Sequence, residues 1–343
     1  MVALLLASCD DDAVTLEVGA PSDQPRRPAA ELAFWDGGAG IKIARFDRRS
    51  TSRLRAVRLG ALERWFLDRV SWSPDGRRLA FTAGAAGLHT REDIWTIDPD
   101  GGRPRRITRT EDAFWPVWAP DGRCIVYARL EEPRRSPDAP HDTSSLWAVD
   151  PDGSNRRRLT EPEPGVIERP WSFAPDGSKL AITRARLPAL ERRAAETMLV
   201  LLDLDGSGER ELTGSGTDPA FSPDGSRIAY ASARDRNGTL NYGDILSIAT
   251  ELYVMDADGS NRRRLTRTRN VNELAPSWSP DGARLAYHVG RDYQNAEIYS
   301  IWQSNADGSC PEALFVGRPH GDWYASPVWR PTRPRQRLER LQC

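Results

Sequence analysis

Histidine, methionine and cysteine are scarce in this 343-residue chain, at 4, 3 and 4 residues. No C-x-x-C pair occurs among the cysteines, so a structural zinc site has no support. Apart from residues 1–8 there is no sustained apolar run, and nothing approaches the roughly 20 residues that a membrane-spanning helix requires. An excess charge is lacking too: 48 Lys and Arg against 49 Asp and Glu leave a net charge of -1, so no overall field draws nucleic acid. A Gly-x-Ser-x-Gly nucleophile elbow and a phosphate-binding glycine loop are both missing. What is abundant is punctuation and aromatic surface. The 27 Gly and 26 Pro argue for many short elements joined by tight turns, and 12 Trp, 8 Tyr and 8 Phe supply a sizeable core.

The punctuation is periodic. Aromatic-x-Pro-Asp-Gly occurs at Trp72 to Gly76, Trp118 to Gly122, Phe173 to Gly177, Phe221 to Gly225 and Trp278 to Gly282, with a decayed copy at Trp329-Arg330-Pro331. Pro presets φ for a type I turn, Asp suits the next position, and Gly supplies the left-handed residue that closes a hairpin. An apolar triplet follows each turn, such as Leu79-Ala80-Phe81. A second strand then ends in an acidic turn such as Asp98-Pro99-Asp100-Gly101, and a short basic strand ends at Ile107-Thr108 or its counterparts. Four short strands per unit, repeated in tandem, give an all-β propeller in which each blade buries its faces against its neighbours. The last copy supplies only an inner strand, while residues 31–35, 41–46 and 54–59 lack one, so strands from both termini are expected to complete the sixth blade.

The repeat resembles that of the TolB-like six-bladed β-propeller family over residues 31–331. The resemblance implies four antiparallel strands per blade and a Tol-like periplasmic role. It stops short of the family's extra N-terminal α/β domain, for which residues 10–30 are too few.

In such a ring the two motif turns share one face, and the long variable loops share the other, which is the face expected to bind. Its candidate residues are His141, Asp142, Asp235, Arg236, Asn237, Tyr242 and Asp244 in the longer insertions, with Trp115, Asn272, Glu273, His320, Asp322, Trp323 and Tyr324 leading into inner strands. Trp115 and Trp323 read equally as plugs of the ring. The repeated aromatics read as packing between blades, and the arginine runs (Arg105-Arg106, Arg156 to Arg158, Arg262 to Arg264) as edge charges that discourage sheet aggregation. His89, His141, His288 and His320 are assigned to variable loops without paired ligand spacing, so neither metal nor other cofactor is expected.

Leu6-Ala7-Ser8-Cys9 resembles the lipobox of bacterial lipoproteins, implying lipidation of Cys9 behind a signal whose start lies upstream. The expected organisation is residues 1–9 as truncated signal, 10–30 as tether, 31–331 as propeller and 332–343 as tail. Cys124 reads as a buried small hydrophobe, and an exported protein could bridge Cys310 to Cys343. The functional expectation is a monomeric, non-catalytic envelope propeller, lipid-anchored on the periplasmic side, that binds a protein or glycan. The alternatives are a metal-assisted polysaccharide lyase or hydrolase and a cytoplasmic scaffold.

Overall fold

The computed structural model describes residues 30–36, 40–46, 53–58, 66–84, 92–132, 143–186, 196–242, 245–293, 296–316 and 324–331, and all regular structure among them is strand. Three strands open the chain: β1 (Ala30–Asp36), β2 (Gly40–Phe46) and β3 (Arg53–Ala56). Blade one follows with β4 (Phe66–Trp72), β5 (Leu79–Gly84), β6 (Glu92–Ile97) and β7 (Arg105–Arg106). Blade two is β8 (Ala113–Trp118), β9 (Ile125–Glu132), β10 (Thr143–Val149) and β11 (Arg157–Arg158). Blade three is β12 (Val166–Phe173), β13 (Leu180–Arg186), β14 (Glu196–Leu202) and β15 (Arg210–Thr213). Blade four is β16 (Thr217–Phe221), β17 (Arg227–Ser232), β20 (Glu251–Asp256) and β21 (Arg263–Arg264), interrupted by a hairpin of β18 (Thr239–Tyr242) and β19 (Ile245–Ile248). Blade five is β22 (Val271–Trp278), β23 (Arg284–Tyr293), β24 (Ala296–Asn305) and β25 (Glu312–Val316). The last strand, β26 (Tyr324–Trp329), pairs antiparallel with β1, so blade six has the order β26-β1-β2-β3 and both ends of the chain build it. The expected six-bladed ring and its clasp are both present.

Each motif turn is made by the residues that the repeat supplies. In blade one the Gly76 N–H donates to the Ser73 carbonyl at 2.8 Å, and the Ser73 hydroxyl donates to Asp75 at 2.6 Å. The same serine bond, from Ser222 and Ser279, holds the Asp224 and Asp281 carboxyls below their usual range.

The acidic turns seat one blade on the next. A Cβ on Gly153, Gly206 or Gly308 would stand 2.9, 1.7 or 2.6 Å from the carbonyl oxygen of Ile107, Leu159 or Leu265 in the preceding blade, so only glycine fits. The arginine runs prove to be more than edge charges. Arg105 donates to the Asp152 carbonyl at 2.8 Å and Arg263 to that of Asp307 at 3.0 Å, with Arg210 bonding Asp258 likewise, so the outer strands of blades one, three and four pin the next blade's turn.

The conserved geometry alternates between blades. Ser71, Ser172 and Ser277, in blades one, three and five, accept from the backbone N–H of Trp118, Phe221 and Trp329 in the following blade at 3.2, 2.8 and 3.2 Å. Thr82 and Thr183 likewise accept from the N–H of Trp115 and Asp218 at 3.0 and 3.1 Å. His288 occupies the corresponding position of blade five. Even blades bond the next blade through other side chains, Ser144 of blade two accepting from the Glu168 N–H at 2.8 Å and Asp218 of blade four from the Ala275 N–H at 2.9 Å, so the seams alternate in which side chains bond them.

Candidate binding face and central channel

The six inner strands line the axis, and in five of them the residue three before the repeated aromatic has positive φ: Arg69 at 26°, Trp115 at 57°, Asp218 at 59°, Ala275 at 50° and Ser326 at 51°. Non-glycine residues adopt this conformation at a cost of about 1–2 kcal/mol each, so the surrounding ladder must impose it. A register shift accompanies it in each strand pair, as between Asp68 and Val70 or Phe114 and Val117. Blade three has Pro170 at this place, whose ring forbids positive φ, and its shift falls between Pro170 and Ser172.

These bulges hold a basic, aromatic cluster. Arg69 reaches from blade one to blade three, donating to the carbonyls of Pro170 and Trp171 at 2.9 Å each, with its guanidinium 3.5 Å from the centroid of the Trp171 ring. Arg169 lies over the Trp115 ring at 4.2 Å, and Trp115 meets Phe114 edge-on at 4.6 Å. Buried Asp218 accepts from the Ala275 N–H at 2.9 Å and the Thr217 hydroxyl at 2.5 Å. Burial pushes its carboxyl above the usual range, against the hydrogen bonds and the charges of Arg69 and Arg169. Guanidinia stacked on indoles are characteristic of recognition surfaces. Asp218 is committed to structural donors, so the cluster suits binding better than proton transfer.

Blades four and five raise one side of the variable face. The β18–β19 hairpin sits beside β22 and β23, and β23 and β24 run ten residues each where their blade-one counterparts run six. The expected loop at residues 235–244 thus contains a strand, β18, which pairs with β19. Its base is braced: Asp235 accepts from the Tyr253 hydroxyl and pairs with Arg264 at 3.0 Å, while the Asn237 amide donates to Glu251 at 2.5 Å. Burial, then the Asp235 bond, raises the Tyr253 hydroxyl above its ordinary range. Arg236 between them is exposed.

Two expected surface residues are buried. Asn272 accepts from the Thr250 N–H at 3.0 Å, and Glu273 accepts from the Thr266 hydroxyl. The cause is a device shared with other blades: Thr108, Thr160 and Thr266 each accept from an N–H of the neighbouring strand at 2.9 Å and donate to a buried carboxylate, Asp93, Glu168 or Glu273. Asn272 and Glu273 are therefore scaffold. His288 is no loop residue either; it lies inside β23 and packs on Tyr299 at 5.2 Å. Cys124 is fully buried as expected, but it is disulfide-bonded, as is Cys310.

Trp115 is in the channel, and Tyr242 and Tyr324 lie on β18 and β26. Cys9, His89, His141, Asp142, Asp244, His320, Asp322, Trp323 and Cys343 lie outside the described residues. Arg69, Arg169, Trp171 and Asp218 went unread in the sequence, although Arg169-Pro170-Trp171 just before Phe173 was the available signal. Among the described residues no group of three His, Cys, Asp or Glu could hold a metal.

Comparison with solved structures aligns a propeller from Agrobacterium tumefaciens, assigned as a TolB, over 89% of this chain and 99% of that one, with a TM-score of 0.60 and 16% identity. In fold the chain is similar to that TolB-like structure: both are six-bladed β-propellers. No family model matches the chain. In sequence, the chain is 26% identical over 224 residues to an uncharacterized protein of Agrobacterium fabrum, covering 63% of this chain and 67% of that one. It is 42% identical over 73 residues to the Tol-Pal system protein TolB of Thioalkalivibrio sulfidiphilus, covering 21% of this chain and 14% of that protein. Against dipeptidyl-peptidase 5 of Porphyromonas endodontalis the identity is 24% over 278 residues, 68% of this chain and 38% of the peptidase. The matches thus span less than half the length of the TolB and peptidase relatives.

Proposed function

We propose that this TolB-like propeller is a non-catalytic binding protein of the bacterial envelope that holds a protein partner on its variable face, centred on the channel mouth. The observation that carries this reading is the Arg69–Trp171 and Arg169–Trp115 cluster, which joins the inner strands of blades one, two and three. Likeness to Tol-Pal system proteins supports an envelope setting, and disulfides at Cys124 and Cys310 agree with an oxidising compartment. Crosslinking in the native envelope should capture the partner with the parent protein and with Arg77→Glu on the opposite, motif-turn face. Arg169→Glu should reduce capture at least tenfold at an unchanged melting temperature. Undiminished capture with that variant would sink the reading.

The cysteines set a condition on the lipid anchor proposed at Cys9. If Cys310 takes Cys343, the one cysteine of these 343 residues left for Cys124 is Cys9, whose sulfur cannot then carry a lipid. Non-reducing peptide mass spectrometry separates the two: a diacylglycerol increment on Cys9 supports the anchor, and a Cys9–Cys124 linked pair overturns it.

A further inference from the structure

The outer grooves between neighbouring blades are built from equivalent positions, yet two of them differ in charge. The groove between blades one and two is a cavity of ≈ 270 Å³ lined by Arg105, Arg106, Arg109 and Arg156 against a single acid, Asp152. The groove between blades two and three, ≈ 590 Å³, is lined by Glu161, Glu163, Glu168, Asp205 and Glu209 around Arg184. Counting from the shared Ile-Thr or Leu-Thr pair and from the shared turn glycine, Glu161 stands where Arg109 stands, and Glu209 where Arg156 stands.

The comparison separates scaffold from surplus. Arg105 and its counterparts pin the next blade's turn, and Arg106 is spent on Asp93 and the Thr108 carbonyl. In the acidic groove the basic side chains are neutralised, with Arg158 at 3.1 Å from Glu161 and Arg184 at 2.7 Å from Glu168. Arg109 and Arg156 are exposed and line the cavity, neither forming an ion pair with a carboxylate among the described residues, and the acidic groove shows that the fold does not require arginine at either place. Like charges gathered around one concavity repel until an anion enters, and guanidinium forks match the oxygens of phosphate two at a time.

We propose that the groove between blades one and two is a phosphate-binding site in which Arg109 and Arg156, assisted by Arg105, hold a phosphate or phosphate ester. A free phosphorylated solute and a phospholipid headgroup share this chemistry. Isothermal titration of the whole chain with inorganic phosphate at constant ionic strength should give one saturable site. Arg109→Glu/Arg156→Glu, which installs the acidic groove's own residues, should weaken binding at least tenfold, and Arg267→Gln in the groove between blades four and five should not. If the charge reversal impairs folding, Arg109→Gln/Arg156→Gln replaces it with the same expectation. Co-sedimentation with phosphatidylglycerol vesicles, lost in the double variant, identifies a lipid source; phosphate binding without sedimentation identifies a soluble one. Heat indistinguishable from that of chloride, or binding undiminished in both double variants, overturns the site.

Discussion

Glu273 carries its ionisable group in a nearly dry place beside Thr266. Burial pushes its carboxyl up to about 7; the Thr266 and Thr268 hydroxyls pull it down, and the Glu251 charge pushes it up. The folded value lies above the ordinary 4.5, so the folded chain keeps a proton that the unfolded chain releases. The group's contribution to stability is therefore full below about pH 4.5, falls as pH rises to about 7, and is level beyond. Glutamine at 273 keeps the acceptor for Thr266 and cannot ionise. In urea unfolding, Glu273→Gln should gain on the parent by up to about 3 kcal/mol between pH 4.5 and 7, and a difference that stays flat with pH would refute the assignment. The difference is the quantity to follow, because His288 slopes the other way: burial holds its imidazole down to about 4, so the unfolded chain takes a proton first as pH falls below 6.5. Neither burial was legible in the sequence. An Asn-Glu pair entering an inner strand reads as surface, because what buries Glu273 is a threonine seven residues earlier that folds back over it.

At the scale of strands and turns, the repeat left a far clearer mark. The turn prolines at 74, 120, 175, 223 and 280 fix where strands begin, and even the alternation of blades is visible in their spacings of 46, 55, 48 and 57. Leu79, Leu180 and Leu285 lead the apolar triplet of the second strand in odd blades, and Ile125 and Ile228 lead it in even ones. Less legible was which glycines serve a turn and which serve a neighbour. Gly282 has φ of 71° and nothing nearer to a Cβ than Pro223 at 3.7 Å, whereas Gly206 has φ of 83° and the Leu159 carbonyl at 1.7 Å. Alanine at 282 should thus cost only the left-handed strain, about 1–2 kcal/mol. Gly206→Ala must in addition push blade three off blade two, and its urea midpoint should fall well below that of Gly282→Ala. Equal losses would mean that the blades are not seated through this turn. The channel cluster escaped the sequence for the same reason: which inner-strand residue faces the axis depends on bulges that periodicity two does not encode.

For the whole molecule, stability concentrates where the ring closes. β26 is gripped from three sides: Leu32 and Ala33 of β1 register with Trp329 and Val328, the Trp329 N–H donates to Ser277 of blade five, and the Trp72 indole of blade one donates to the Val328 carbonyl at 3.1 Å. Arg330 adds an ion pair with Glu31, 299 residues away in the chain, and lies 5.2 Å over the Trp72 ring. Trp329 is only 6% exposed in a cluster with Leu32, Phe34, Ala286 and Ile301, so Trp329→Ala should cost about 3–5 kcal/mol. Val316, 63% exposed on the outer strand of blade five, offers the contrast: Val316→Ala should stay within about 0.5 kcal/mol. Closure joins residues from the two ends of the propeller, so its loop entropy must be met before its contacts form, which makes the clasp a late event in folding. Interactions absent from the transition state act on the unfolding rate. Stopped-flow measurements on Trp329→Ala should therefore show unfolding accelerated by most of the lost stability and refolding little changed; a loss borne chiefly by the refolding rate would mean that the ends meet early and the ring is built around its clasp.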